Sequence, residues 1–123
     1  MRIAIASQDL TRIDAHLGWT KNLMLYEVTA EGYRHLSTRT FQDGLHPDGD
    51  HDKLNQRLEA LQGCAMVFLA AVGPEGELGL ARQRITAVRD VAGEPIALAL
   101  DALSDRLRAN DSRWLRQEER RSR

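Results

Sequence analysis

The stretch that decides the fold is residues 2–28, which read RIAIASQDLTRIDAHLGWTKNLMLYEV. It opens with an apolar, partly β-branched run at 2–6, which is typical of a short buried strand. It closes with residues 23–28, which have the character of a second strand. The polar segment between the two strands is predicted to be a loop. Because binding residues concentrate on loops held by rigid elements, His16 in this loop is the first candidate functional residue.

His16 stands in the sequence IDAHLG at residues 13–18 and allows two interpretations. A neutral imidazole can ligate a transition metal such as iron, and Gly18 lets the backbone turn or approach a ligand closely. Alternatively, His16 caps the loop or hydrogen-bonds a carbonyl group. The spacing alone leaves both interpretations open.

Three more strands are expected in the rest of the chain. Residues 33–41 predict a third strand, paired with the second as a hairpin because the connection at 29–32 is short and contains glycine. The most apolar stretch, residues 64–72, lacks alternation and predicts a central strand covered on both faces. Residues 85–91 predict the last strand.

Helices are predicted between the later strands. After the turn formers of residues 42–50, a leucine stripe indicates a helix that Asp50 or Asp52 caps and that Gly63 ends. A turn at 73–79 leads into a short helix through Arg82. A third helix opens at Glu94-Pro95 and runs to about Arg108, with proline suited to its first turn. The first stripe consists of Leu54, Leu58 and Leu61, and the third of Ile96, Leu100, Leu103 and Leu107.

The predicted order is therefore β-β-β-α-β-α-β-α. Hairpins early in the chain imply antiparallel pairing, whereas later crossovers imply parallel strands. We expect an α/β fold with a mixed five-stranded sheet flanked by helices. Residues 1–112 form the one predicted domain, and residues 113–123 an arginine-rich tail. Trp114 and Leu115 either dock on the domain surface or contact a partner.

Composition limits the classes of protein that fit. At 123 residues the chain suits one domain with a single core, and 42% hydrophobic with 28% charged residues is typical of a soluble globular protein. A net charge of −1 gives no general nucleic-acid footprint. We expect no membrane span and no signal peptide, because no apolar run is long enough and the first residues lack the pattern. One cysteine excludes an internal disulfide and a self-contained four-cysteine site, and fits a reducing cytoplasm.

The opening strand, the loop Asp14-x-His16-x-Gly18 and the Leu-Tyr-Glu-Val strand after it resemble the dinitrogenase iron–molybdenum cofactor domain family. Further segments are similar to the NifX-type members of that family, and the resemblance covers roughly residues 1–117. These segments are Asp52-Lys53-Leu54, Gly63-Cys64-Ala65-Met66-Val67 and Trp114-Leu115.

The resemblance implies a ribonuclease-H-like fold and a role without catalysis. Such a protein carries the nitrogenase iron–molybdenum cofactor, or its iron–sulfur precursor cluster, as cargo between cofactor assembly proteins. The expected partners are those assembly proteins, with neither nucleic acid nor membrane. We expect a cytoplasmic monomer or weak dimer.

The same resemblance implies that His16 is the metal ligand. A carrier should hold its cargo through few bonds, and one imidazole with backbone donors around it suits reversible holding. We predict that Ser7 and backbone groups near Gly18 and Gly73 line the site. The turn after the fourth strand is longer and more acidic than in the family, and carboxylates there would oppose an anionic cluster. Those carboxylates belong to Glu75 and Glu77.

Other candidate ligands have simpler explanations beside them. Cys64 is either a thiolate ligand or a packed residue at the start of a buried strand. His46 and His51 either assist at the cofactor or belong, with their neighbouring aspartates, to a solvated helix cap. The glycines at 73, 76 and 79 lack the spacing of a phosphate loop and no lysine follows them, which favours a plain turn.

Three other functions are alternatives to the carrier. A metal-dependent nuclease needs several converging carboxylates, yet residues 2–6 hold no acid and no basic groove is evident. A hydrolytic triad of Ser7, His16 and Asp14 lacks the nucleophile-elbow motif. The remaining alternative is a protein-binding regulator of nitrogenase maturation that captures no cofactor.

Overall fold

The computed structural model describes residues 1–42 and 51–109. A one-turn 3₁₀ helix, Leu17–Trp19, lies between the first two strands. The predicted order of strands and helices is confirmed. The elements are β1 (Arg2–Ser7), β2 (Asn22–Thr29), β3 (Gly32–Thr40), α1 (His51–Ala60), β4 (Met66–Phe68), α2 (Pro74–Arg82), β5 (Thr86–Val88) and α3 (Ile96–Arg108).

β1 lies at the centre of a five-stranded sheet with the order β3-β2-β1-β4-β5. β2 runs antiparallel to both β1 and β3. β4 runs parallel to both β1 and β5. This mixed five-stranded sheet is the α/β fold that the sequence predicts, and β4 lies inside it as expected.

Both faces of β1 are buried, and its successive side chains point to opposite faces. Ile3 and Ile5 pack with the apolar side of α3, including Leu100. Ala4 and Ala6 belong to the second core cluster, against which α1 and α2 pack. Each fully buried isoleucine contributes about 1.5–3 kcal/mol relative to an exposed one. The helices therefore cover both faces of the sheet.

The glycine-rich segment 73–79 corrects one prediction, because it is a helix and not a turn. α2 begins at Pro74, directly after the N-cap residue Gly73. A helix interior normally loses about 1 kcal/mol for each glycine relative to alanine. Here a Cβ atom on Gly76 would collide with Val72, and one on Gly79 with Leu58. Glycine at both positions thus admits the close approach of α2 to α1 and to its own N-terminal segment.

The apolar stretch 64–72 contains a shorter strand than predicted. Only Met66–Phe68 joins the regular ladder. Beyond it, the Ala70 N–H donates to the Ala15 carbonyl and the Leu17 N–H donates to the Ala71 carbonyl, both at 2.9 Å. The chain after β4 therefore binds the loop that contains His16. Likewise, the predicted strand 85–91 is regular only over Thr86–Val88.

The helix ends agree with most of the predicted signals. Gly63, with φ of +86°, follows α1 where a left-handed residue ends the segment. Asp52 lies inside the first turn of α1, past the N-cap position, whereas Asp50 lies outside the described residues. Pro95 is the N-cap of α3, one position before its first turn.

The predicted tail 113–123, with Trp114 and Leu115, lies outside the described residues, so its boundary at residue 112 stays a prediction. Of the helices in the described part of the chain, none combines the length and the apolar character needed to cross a bilayer.

Candidate functional site

Loops gather at the edge of the sheet where the parallel strands β1, β4 and β5 have their carboxyl ends. From β1 the chain continues to β2 on one side, and from β4 it continues through α2 to β5 on the other. Open α/β sheets bind ligands at such a switch point. His16 follows β1 there and forms a β-bridge with Ala71, which follows β4. We call residues 8–19 and 69–73 the His16 edge.

The loop before His16 is anchored to the segment that precedes α3. The Ile13 N–H donates to the Glu94 carbonyl at 3.0 Å, and the Gly93 N–H donates to the Ile13 carbonyl at 2.7 Å. The Ile96 N–H donates to the Thr11 carbonyl at 2.9 Å. The fold therefore holds the loop at both of its ends, as the sequence prediction of a rigidly supported loop requires.

Ser7, a predicted site residue, is fully buried at the end of β1. Its hydroxyl donates to Asp9 Oδ1 at 3.3 Å and accepts from the Leu10 N–H at 3.0 Å. Asp9 also accepts from the N–H groups of Thr11 and Arg12, and these bonds lower the pKa of Asp9 to about 2. The Ser7 hydroxyl thus supports the turn below the His16 edge.

The His16 side chain is partly exposed and makes two close contacts within its own loop. Its Nδ1 accepts from the Gly18 N–H at 2.9 Å, which makes His16 the N-cap of the 3₁₀ helix. Its ring stacks on the indole of Trp19 with 3.6 Å between centroids and 9° between planes. Partial burial lowers the pKa of His16 by desolvating the imidazolium. The capping role that the sequence left open is therefore present in the structure.

Trp19 is a contact residue that the sequence reasoning missed. The 3₁₀ helix has three residues per turn, so side chains three positions apart eclipse each other. His16 and Trp19 have this spacing and stack accordingly. An aromatic residue three positions after a loop histidine was the available signal.

The two glycines predicted at the site differ in their surroundings. A Cβ atom on Gly18 would lie 3.2 Å from both Cε1 and Nδ1 of His16, so glycine here admits the imidazole against the backbone. Nothing lies within 4 Å of a Cβ atom on Gly73. Gly73 follows Ala71 by two residues and precedes the N-terminus of α2, which completes the His16 edge beside β4.

Cys64 lies at the opposite edge of the sheet. It precedes β4, and the next residue, Ala65, donates its N–H to the Arg2 carbonyl at the start of β1. The Cys64 side chain is buried among apolar neighbours. Burial raises the pKa of its thiol to about 11, although Arg2 acts in the opposite direction. The structure favours the packing interpretation, because Cys64 and His16 cannot serve one site.

Arg57 is a second residue that the sequence reasoning missed. Its guanidinium is fully buried, donates to the Thr20 carbonyl from Nε and Nη2 at 3.0 and 2.8 Å, and lies 4.2 Å from the ring centre of Phe41. Arg57 thereby ties α1 to the residue after the 3₁₀ helix. The signal was its spacing from Leu54 and Leu61, which places it on the apolar stripe.

The described residues do not place the other candidate ligands, His46 and His51, at the His16 edge. His46 lies outside the described residues, and only the backbone of His51 is described, as the first residue of α1. Within residues 1–42 and 51–109, no three His, Cys, Asp or Glu side chains converge as a metal site. A groove of about 460 Å³ lies between β4, β5 and α3, and contains none of the predicted site residues.

Comparison with known proteins agrees with the resemblance seen in the sequence. Residues 1–106 match the family described as "Dinitrogenase iron-molybdenum cofactor". Protein NifX of Herbaspirillum seropedicae is 40% identical over 116 residues, which cover 94% of the chain and 80% of that protein. Protein NifX of Rhodobacter capsulatus is 33% identical, with 94% of the chain and 76% of that protein covered.

Two more distant similarities complete the comparison. The FeMo cofactor biosynthesis protein NifB of Bradyrhizobium diazoefficiens is 27% identical over 95 residues, which cover 76% of the chain and 19% of that protein. The solved structure of PH0822 superposes with a TM-score of 0.63 and 17% identity, covering 85% of the chain and 90% of that structure. This second likeness concerns the fold alone.

Proposed function

The chain belongs to the dinitrogenase iron–molybdenum cofactor family, and we propose that it is a non-enzymatic carrier of the iron–molybdenum cofactor or its iron–sulfur precursor. The family match and the NifX and NifB relatives support a role in the biosynthesis of this cofactor. The proposed carrier binds the cluster as cargo and passes it between nitrogenase cofactor assembly proteins in the cytoplasm. It acts as a monomer or weak dimer, with neither nucleic acid nor membrane as a partner.

The observation that carries this proposal is the position of His16. A partly exposed imidazole with a lowered pKa lies at the switch point of the sheet, on a loop held at both ends. Such a ring stays neutral near pH 7, which is the form that binds iron or molybdenum. We assign His16 as the metal ligand, with backbone groups at Gly18 and Gly73 beside the cargo and Ser7 supporting the loop from below.

The charge near Gly73 is more favourable to an anionic cluster than the sequence suggests. Glu77 forms an ion pair with Arg89, so its charge is partly balanced. Glu75 lies in the first turn of α2, where the free N–H groups of the helix carry partial positive charge. The acidic segment therefore does not oppose cargo binding as two free carboxylates would.

Anaerobic titration with isolated iron–sulfur precursor, followed by gel filtration and iron counting, tests the carrier. We expect iron to elute with the wild type and to be lost in His16→Ala. The matched control is His35→Ala, because His35 is an exposed histidine on β3, away from the His16 edge. Iron retained equally by His16→Ala would move the site elsewhere.

One observation favours the alternative, a protein-binding regulator without cofactor capture. The Nδ1 lone pair of His16 is already used by the Gly18 N–H. A wild-type protein that takes up no iron from an intact precursor would contradict the carrier and support this regulator.

A further inference from the structure

The His16 imidazole is engaged on both its edge and its face before any cargo arrives. Nδ1 accepts the Gly18 N–H, and the ring face lies against Trp19. In a neutral imidazole one nitrogen carries the proton and the other accepts. Because Nδ1 is the acceptor here, the proton is on Nε2. In this orientation, which we call the capped orientation, neither ring nitrogen offers a free lone pair.

A bond from metal to His16 conflicts with the capped orientation at either nitrogen. Ligation through Nε2 requires the proton to be on Nδ1. The Nδ1–H group would then face the Gly18 N–H, and two donors would meet across the 2.9 Å between the nitrogens. Ligation through Nδ1 requires the Gly18 N–H to give up its acceptor. The imidazole must therefore leave the Gly18 N–H before it can hold a cluster.

We propose that Trp19 is a positioning residue that holds the plane of the His16 ring while cargo replaces the Gly18 N–H at Nδ1. This inference rests on the proposed carrier function. A half-turn about the Cβ–Cγ bond of His16 keeps the ring plane, and with it the stack on Trp19, but swings Nδ1 away from Gly18. The N–H···N hydrogen bond breaks, the Nδ1–metal bond forms, and the proton stays on Nε2 throughout.

The same half-turn leaves the Gly18 N–H without an acceptor, because the Cδ2–H group takes the place of Nδ1 beside it. When cargo departs, Nδ1 and the Gly18 N–H satisfy each other again. In the cargo-free carrier, the capped orientation thus gives both Nδ1 and the Gly18 N–H a hydrogen-bond partner, which favours release of the cargo.

Gly18 provides a way to weaken the cap without removing any donor. Its backbone lies outside the left-handed region, so alanine is tolerated there, yet the added Cβ would press on the ring at 3.2 Å. Gly18→Ala should therefore destabilise the capped orientation. The apparent affinity for cargo falls as the fraction of protein in a state that cannot bind rises. Weakening the capped orientation should therefore raise this affinity.

Nitrogen-15 NMR of the imidazole in the cargo-free protein tests the capped orientation directly. We expect the wild type to show an unprotonated Nδ1 and a protonated Nε2. In Gly18→Ala the Nδ1 signal should lose the shift caused by the hydrogen bond. A protonated Nδ1 in the wild type would overturn the inference, whether or not cargo binds.

Binding of isolated iron–molybdenum cofactor to variants tests the role of Trp19. Trp19→Leu should weaken binding by about three- to tenfold because the stack is lost, and Trp19→Phe should restore it to within about twofold. Gly18→Ala should bind about three- to tenfold more tightly. If the role of Trp19 were merely structural, Trp19→Leu would leave the nitrogen-15 signals of the His16 imidazole unchanged.

The failures of the two proposals are distinguishable. If His16→Ala loses the cofactor while Trp19→Leu and Gly18→Ala bind like the wild type, the carrier stands and the positioning role of Trp19 is overturned. If the wild type binds no cofactor, the carrier fails, and the exchange at Nδ1 fails with it.

Discussion

The two edges of the sheet each hold a side chain that can ligate iron, and they treat it in opposite ways. At the carboxyl edge, His16 is partly exposed on a loop and its lowered pKa keeps it neutral. At the amino edge, Cys64 is 5% exposed and its pKa is raised to about 11. Imidazole binds metal when neutral, whereas a thiol must ionise first. Burial therefore favours the ligand form at one edge and suppresses it at the other.

The difference follows from strand direction. Parallel β1, β4 and β5 all end at the carboxyl edge, and the loop that holds His16 lies there beside the segment after β4. At the amino edge the chain enters β4 directly from a short turn after α1, under apolar side chains. A residue type alone thus does not make a site, because its exposure and protonation depend on the edge at which it lies.

The largest predicted effect is a loss of stability on removing Arg57, which ties α1 to the residue after the 3₁₀ helix. Arg57→Ala should lower the free energy of unfolding by about 3 kcal/mol, because the Thr20 carbonyl loses its buried donors and Phe41 loses its stacked guanidinium. Urea unfolding followed by circular dichroism measures this loss. Arg82→Ala, at an exposed position on α2, is the control and should change stability by less than about 0.5 kcal/mol. Equal losses in the two variants would rule out a special role for Arg57.

The second prediction concerns the reactivity of the buried Cys64 thiol at the amino edge. A pKa of about 11 in place of the ordinary 9.0 leaves about a hundredfold less thiolate at pH 8. Alkylation of the folded protein by iodoacetamide should therefore be at least that much slower than alkylation in urea. Fast labelling of the folded protein would contradict the burial of Cys64.

Stability should also depend on pH through the same thiol. The unfolded chain releases this proton near pH 9.0, but the folded protein holds it to about pH 11. The free energy of unfolding should therefore fall as the pH rises from 9 to 11. Because Cys64→Ala removes the titrating group, its stability should fall less than that of the wild type over this interval.

The next prediction compares the stability effects of alanine at Gly73 and at Gly76, beside the carboxyl edge. Gly76→Ala should destabilise by about 1–2 kcal/mol, because overpacking against Val72 outweighs the gain in helix propensity. Gly73→Ala meets nothing within 4 Å and should change stability by less than about 0.5 kcal/mol. Thermal unfolding of both variants is the measurement. Equal stability of the two would show that α2 does not need Gly76 for close packing.

The smallest predicted effect concerns acid and the turn below His16. The pKa of Asp9 is depressed to about 2 by the Thr11 and Arg12 N–H groups, so the bonds are complete above the ordinary value of 3.8 and are lost as the pH falls through 2. The amide shifts of Thr11 and Arg12 should titrate with a midpoint near pH 2. Asp9→Asn, which keeps the acceptor but does not ionise, should remove this transition. A midpoint near 3.8 would mean that the turn is open.

Much of the fold could be predicted because its signals are local. Apolar runs, a short hairpin connection and helical leucine stripes indicated the five strands and three α-helices of the described chain in the correct order, but not the 3₁₀ helix Leu17–Trp19. The glycines of α2 were misread as a turn because their reason lies in Val72 and Leu58, which only the tertiary structure brings against them. The regular strand β4 is shorter than its apolar stretch because residues 69–72 pack against another loop.

The sequence indicated the residue at the centre of the candidate site but not the contacts around it. A histidine between two strands pointed to His16, and the family resemblance gave the expectation that it ligates metal. The stack on Trp19 and the bond from the Gly18 N–H arise from the eclipsed geometry of a 3₁₀ turn, for which the spacing of three residues between His16 and Trp19 was the sequence signal. Arg57 remained hidden because arginine is ordinarily an exposed residue.

The sequence by itself determined the elements, their order and the family, because these depend on residues close together along the chain. Only the tertiary structure decided which edge each candidate ligand occupies and in what protonation state. It placed His16 beside Ala71 at the switch point and buried Cys64 at the far edge. The physical reason is that accessibility, desolvation and hydrogen-bond partners come from residues distant in sequence, which the sheet brings together.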